Sequence, residues 1–160
     1  MQALSVDGRV ARVLPFMERA GLVDAPSTTD QQARTRRVVE AAGDRIKVAG
    51  DILGYPEFFQ MDDEVAYDEK AFNKRVRKDG VEPRLGRFRD RLATARPFDA
   101  ETLERTMHEF VDAEGVGIGQ IIHAVRGAVT GKAIGFGLFE GLAILGRDVC
   151  LTRIDRALER

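Results

Sequence analysis

Nine glycines lie between Gly115 and Gly146. They surround the run Arg126-Gly127-Ala128-Val129-Thr130-Gly131-Lys132-Ala133-Ile134-Gly135-Phe136-Gly137-Leu138-Phe139-Glu140. Apolar residues at helical spacing bracket this run on both sides, so it reads as helix, tight loop, helix rather than as a linker. A glycine-rich turn at the start of a helix lets a ligand or a second helix approach the backbone closely and offers amide donors to it. Residues 130–138 can therefore present amides and a few side chains to splayed-out bases, because RNA sequence is read mainly in single-stranded loops by edge hydrogen bonds and stacking. The competing reading is that the glycines serve only close helix packing. Arg126, opposite the Ile/Val stripe of its helix, is either a phosphate or base contact beside the loop or a solvated, capping arginine. Lys132, inside the loop, is a candidate phosphate neighbour, and phosphate contacts position RNA without specifying its sequence.

A second charged feature lies upstream. Residues 70–96 carry ten Lys and Arg against three acidic residues, although the whole chain has a formal charge of −1. Arg84, Arg87 and Arg91 recur at i, i+3 and i+7, on one helix face. They are candidate contacts to an RNA backbone or an ordinary solvated surface. The neutral total argues against a general nucleic-acid binder. It leaves a local basic face possible, since screening limits the reach of charges to about 8–10 Å.

Other chemistry is poorly supported. The two histidines, His108 and His123, and the lone Cys150 do not form a metal-binding pattern. His123 sits beside an apolar stripe and reads as a core or boundary histidine. No catalytic dyad, triad or cofactor motif is expected. One cysteine excludes an internal disulfide framework and fits a reducing compartment. The 160 residues are 44% hydrophobic and 32% charged, ordinary for a globular protein. No apolar run approaches the ~20 residues of a membrane-spanning helix. Met1-Gln2-Ala3-Leu4-Ser5 lacks the basic-then-apolar pattern of a signal peptide. A cytoplasmic location is expected.

The elements that would hold these residues are all helical. Val6, Val10, Val13, Leu14 and Met17 share a helical stripe, with Ser5 as N-cap, Pro15 as a kink and Gly21 as the stop. Thr29 or Asp30 caps a polar helix ending at Gly43. A short third helix spans Ile46 to Leu53, and Phe58, Phe59 and Met61 read as core. Asp68–Lys78 and Pro83–Ala95 are two helices joined at Asp79-Gly80, with Leu85, Phe88 and Leu92 facing inward. Asp99 caps the next helix, on which Leu103, Met107, Phe110 and Val111 form the stripe, and Phe98 is placed to staple onto Leu103. Ile118–Val129, Leu138–Leu145 and Asp148–Leu158 complete the chain. No period-2 pattern calls for a strand. The expected division is at residues 94–97, giving a helical subdomain over 1–95 and another over 96–160.

The order Arg126, Ala128-Val129-Thr130-Gly131, Gly137-Leu138-Phe139-Glu140, Ile144-Leu145-Gly146 resembles the C-terminal anticodon-binding region of bacterial-type glutamyl-tRNA synthetases. Weaker echoes are Val13-Leu14-Pro15-Phe16-Met17, Ala20-Gly21-Leu22, Phe58-Phe59 and Val65-Ala66-Tyr67-Asp68. The resemblance covers nearly the whole chain and is specific over 115–146. It implies an all-α bundle of the class I synthetase anticodon-binding type and recognition of tRNA, of glutamate type. It carries the anticodon-contacting role onto Gly135, Phe136, Gly137 and Leu138, beside Thr130, Arg126 and Lys132. The chain departs at Gly135-Phe136, where the family has Ser or Thr followed by Pro, at Gly127 in place of Val, and at His123 in place of Gln. Phe136 either replaces the proline as a stacking surface or turns inward as core. Signatures of the His-Ile-Gly-His and Lys-Met-Ser-Lys-Ser type are absent. This chain alone is therefore expected neither to bind ATP nor to form an aminoacyl bond, and to need no cofactor or metal. A catalytic domain in the same or another chain would be its partner. The alternative is a helical protein–protein interaction module that kept the fold and lost RNA reading.

Overall fold

The computed structural model describes residues 3–160. Met1 and Gln2, part of the segment read above as carrying no signal peptide, lie outside the described residues. Among the described residues there is no strand, and no helix is long and apolar enough to cross a membrane. The chain divides into two compact units, 1–61 and 62–160. The division falls well upstream of residue 95. The physical reason is the helix Val81–Thr94, which packs on the two helices Ala100–Glu114 and Arg147–Glu159 and so belongs with the C-terminal half.

In the first unit α1 spans Val6–Ala20 and α2 spans Thr29–Ala42. The Ser5 hydroxyl accepts the Gly8 N–H at 3.1 Å, and Gly21 closes α1 in the left-handed conformation at φ 75°. α1 runs unbroken through Pro15. The cap of α2 is Thr28, one residue earlier than expected, because Thr28 and Gln31 form a reciprocal capping box. Val13 and Met17 of α1 and Val38 and Val39 of α2 are fully buried. The expected third helix, Ile46 to Leu53, is instead a 3₁₀ segment, Ala49–Gly54, with another before it at Gly43–Arg45. The Asp51 carboxylate accepts the Lys47 and Val48 amides at 2.9 and 3.1 Å. Asp51 thereby caps the start of the Ala49–Gly54 segment. Phe58 is core and Phe59 half-buried, but Met61 is 71% exposed rather than core.

The second unit contains α3 (Glu69–Arg75), α4 (Val81–Thr94), α5 (Ala100–Glu114), α6 (Ile122–Thr130), α7 (Leu138–Leu145) and α8 (Arg147–Glu159). The Asp68 side chain caps α3 and that of Asp99 caps α5. The stripes of α4 and α5 meet, with Phe88 and Phe110 edge to face at 5.3 Å. Phe98 is half-buried beneath the Arg147 guanidinium. α6 runs among α3, α7 and α8, with Val125, Ala128 and Val129 fully buried. Cys150 and Ile154 of α8 are equally buried, and burial pushes the Cys150 thiol up to about 12. Arg153 is 1% exposed. It donates to Asp62 at 2.8 Å and to the Val129 carbonyl at 2.9 Å, tying the start of the unit to the end of α6.

Candidate nucleic-acid interface

The loop between α6 and α7 is built from its anchors. Gly131 ends α6 at φ 77° and lies so close to the segment before α3 that a Cβ there would collide with the Ala66 carbonyl. The Asp68 amide donates to the Gly131 carbonyl at 2.9 Å, and the Tyr67 hydroxyl donates to the Ala128 carbonyl at 3.2 Å. The Thr130 hydroxyl is buried. It donates to the Arg126 carbonyl at 2.7 Å and accepts the Lys132 amide at 3.2 Å. Thr130 and Gly131 therefore shape the loop from within.

Phe136 is 4% exposed, and so is Leu138. Of the two readings of Phe136 the structure adopts the inward one, and its ring offers no stacking face. The ring fills core that a loop of glycines would otherwise leave open. Arg126 spans the loop, its Nη1 donating to the Phe136 carbonyl at 2.8 Å. A Cβ on Gly135 would meet the same guanidinium at 3.2 Å. Arg126, Lys132 and Gly135 are half-buried, while Ala133 and Gly137 are exposed. At Gly137 a Cβ would meet the Glu140 carboxylate, the flexible end of a side chain.

Ile134 stands at the tip with 81% of its surface in water. It was absent from the expected site residues. The signal for it was present in the sequence: an isoleucine between Ala133 and Gly135, without a helical partner, has no stripe to join. An exposed apolar tip flanked by amides is suited to contact with a base face rather than with a phosphate.

Arg87 and Arg91 of α4 are exposed and Arg84 is half-buried, but the three also make contacts within the unit. Arg87 forms a bidentate pair with Glu114 at 3.0 and 2.6 Å, and Arg84 lies 3.7 Å from the same carboxylate. The hydrogen bond from Arg87 holds the Glu114 carboxyl below the usual range. Arg89 pairs bidentately with Asp155. Arg91 lies over the Phe110 ring. These side chains also tie α4 to α5 and α8, so the exposed stripe expected of Arg84, Arg87 and Arg91 is in part engaged within the fold.

His123 is half-buried, as expected of a boundary histidine. Burial, then Arg75 and Arg126, lower its pKa below the ordinary value. His108 is exposed beside Glu104. Among the described residues no group of His, Cys, Asp or Glu is arranged to hold a metal ion.

Relatives of known kind match this chain along almost its full length. A glutamate–tRNA ligase of Moorella thermoacetica is 33% identical over 150 residues, covering 93% of this chain and 30% of that protein. One of Desulforudis audaxviator is 35% identical over 151 residues with the same coverages. The fold is similar to part of a glutamate tRNA ligase from Elizabethkingia meningosepticum, with a TM-score of 0.84 at 18% identity over 99% of this chain and 30% of that one. The chain thus spans about a third of the length of the curated relatives it matches. The family model described as an anticodon binding domain matches residues 9–158. With that match over nearly all its residues, the chain belongs to the anticodon-binding domain family.

Proposed function

We propose that this chain recognises the anticodon loop of a tRNA of glutamate type, acting as the RNA-reading part of a glutamate–tRNA ligase whose catalytic domain lies elsewhere. The observation that carries this reading is the anchored α6–α7 loop in a chain of the anticodon-binding family. Gly131 and Arg126 hold its two ends, and Ala133, Ile134 and Gly137 face outward. Preorganised backbone donors beside an apolar tip suit unstacked bases, which need edge hydrogen bonds and a contact face together. Direct contact falls to Lys132, Ile134, Gly135 and Gly137, with Arg126 beside them. Thr130, Phe136 and Leu138 act by holding the loop's shape. The work of such a protein is in the cytoplasm, where its tRNA is charged.

The test compares binding of a glutamate tRNA transcript with that of the same transcript carrying an altered anticodon. The parent chain is expected to prefer the glutamate anticodon, and Ile134→Asp to lose most of that preference while remaining folded. Equal binding of both transcripts by the parent chain would overturn the reading in favour of a protein-interaction module.

A further inference from the structure

A pocket of about 170 Å³ opens between the end of α3 and the start of α6, lined by Lys74, Arg75, Lys78, Gln120 and His123 with Val81, Gly119 and Ala124. We infer that this pocket seats a backbone phosphate of the bound RNA, held by Lys74, Arg75 and Lys78 on one wall and His123 on the other. The inference rests on the tRNA-binding reading above and adds a second point of contact to it.

Four observations carry it. First, no carboxylate lines the pocket; Asp79 and Glu82, next in the chain, do not reach it. Second, the side chains of Lys74, Arg75 and Lys78 have no ion-pair or hydrogen-bond partner among the described residues. The α4 arginines of the same basic run are held by Glu114 and Asp155. The carbonyl end of α3 tolerates cations, but it does not account for a histidine facing them across a cleft. Third, the size fits. A space of about 170 Å³ has room for a phosphate group. Fourth, the placement fits the loop. His123 and Arg126 share a face of α6, and from His123 to Thr130 the helix rises roughly 10 Å. A strand whose bases meet the loop passes the pocket without a detour.

His123 also supplies a reporter. Burial, Arg75 and Arg126 hold its pKa down in the free protein. Lys74 and Lys78 face the same cleft. A phosphate there would reverse the local charge and raise the pKa of His123. His108, on the exposed side of α5 beside Glu104, is an internal control in the same spectrum.

The experiment measures tRNA affinity against salt for the parent chain and for the triple variant Lys74→Gln, Arg75→Gln, Lys78→Gln. A charge-matched control, Arg12→Gln, Arg37→Gln, Lys47→Gln, is placed in the other unit. The pocket variant is expected to lose affinity equally for the cognate and altered anticodons. The magnitude of its log–log salt slope should fall by about 0.7–0.9, the value for one lost phosphate contact. In the parent chain, tRNA should shift the His123 imidazole resonance and raise its midpoint while leaving His108 in place. This second readout needs no variant. An unchanged slope with normal parent binding would remove the pocket and leave the anticodon reading standing. Equal loss in the control variant would assign the effect to net charge and overturn the site. If inorganic phosphate moves His123 and tRNA does not displace it, the pocket holds a small free anion instead of RNA. A parent chain that binds no tRNA would overturn both readings together.

Discussion

Gly131→Ala tests whether the loop is held by close backbone approach. Two costs are legible at this position. Alanine at φ 77° pays the left-handed penalty, about 1–2 kcal/mol. Its Cβ would also collide with the Ala66 carbonyl, which is backbone and cannot rotate away. The 65–68 segment must then move and give up the Asp68 amide bond to Gly131 and the Tyr67 bond to Ala128, each about 0.5–1.5 kcal/mol. The sum is about 2–5 kcal/mol. Gly115→Ala is the matched control in the same unit. It has φ 69° and ψ 31° with open space around the added Cβ, so it carries the conformational penalty alone. Alanine's smaller unfolded-state entropy offsets part of the loss in both variants and cancels in the comparison. Urea unfolding followed by circular dichroism should place Gly131→Ala about 1–3 kcal/mol below Gly115→Ala, roughly 4–24 °C in melting temperature for a unit of this size. Equal losses in the two variants would refute the reasoning that Gly131 is there for close approach.

Phe136→Ala should behave as a core truncation. It should cost about 3–5 kcal/mol of folding energy, whereas Phe136→Leu should retain most of the stability and all of the anticodon preference. A stable Phe136→Ala chain that loses RNA binding would place the ring at the interface instead. Glu114 gives a pH prediction. Its folded pKa is lowered, chiefly by the hydrogen bond from Arg87, so the stability it contributes is present above the unfolded carboxylate value of about 4.3. That contribution is lost as pH falls through the lower folded value. Glu114→Gln should therefore show a shallower loss of stability across that acid interval, measured by urea midpoints, and identical profiles would show that the Arg87–Glu114 clamp contributes nothing.

Much of this fold is readable along the chain because its helices are punctuated locally. Gly137 and Gly146 bound α7 at the residues that periodicity and glycine stops indicate, and Asp99 caps α5 as its type and place require. Legibility fails where the deciding contact is not local. Gly43, Gly50 and Gly54 weaken α-helix over 43–54, and two 3₁₀ segments form there, the second capped by Asp51. Met61 belongs to no helical stripe, and its apolar type alone suggested burial. The unit boundary moved from 95 to 61 because α4 finds its partners in α5 and α8. At the loop, position was legible and orientation was not. Neither helical period nor turn chemistry says which way Phe136 points, since the core it fills is assembled from distant segments.

The basic run 70–96 shows the same limit in charge. Its ten cations read as one feature in the sequence, yet the fold divides them by what stands opposite. Glu114 lies 27 residues from Arg87, and Asp155 lies 66 from Arg89. Spacing along the chain cannot announce either pair. Pairing offsets the charge of Arg87 and Arg89, although Arg84 and Arg91 gather round the same Glu114, and charge reversal at Arg87 or Arg89 would also weaken the packing of α4 on α5 and α8. Lys74, Arg75 and Lys78 sit on a pocket wall with no carboxylate opposite, and their field survives over a screening distance of about 8 Å. A chain of net charge −1 can therefore hold a phosphate, because attraction at that range depends on the few unpaired charges nearby and hardly at all on the total.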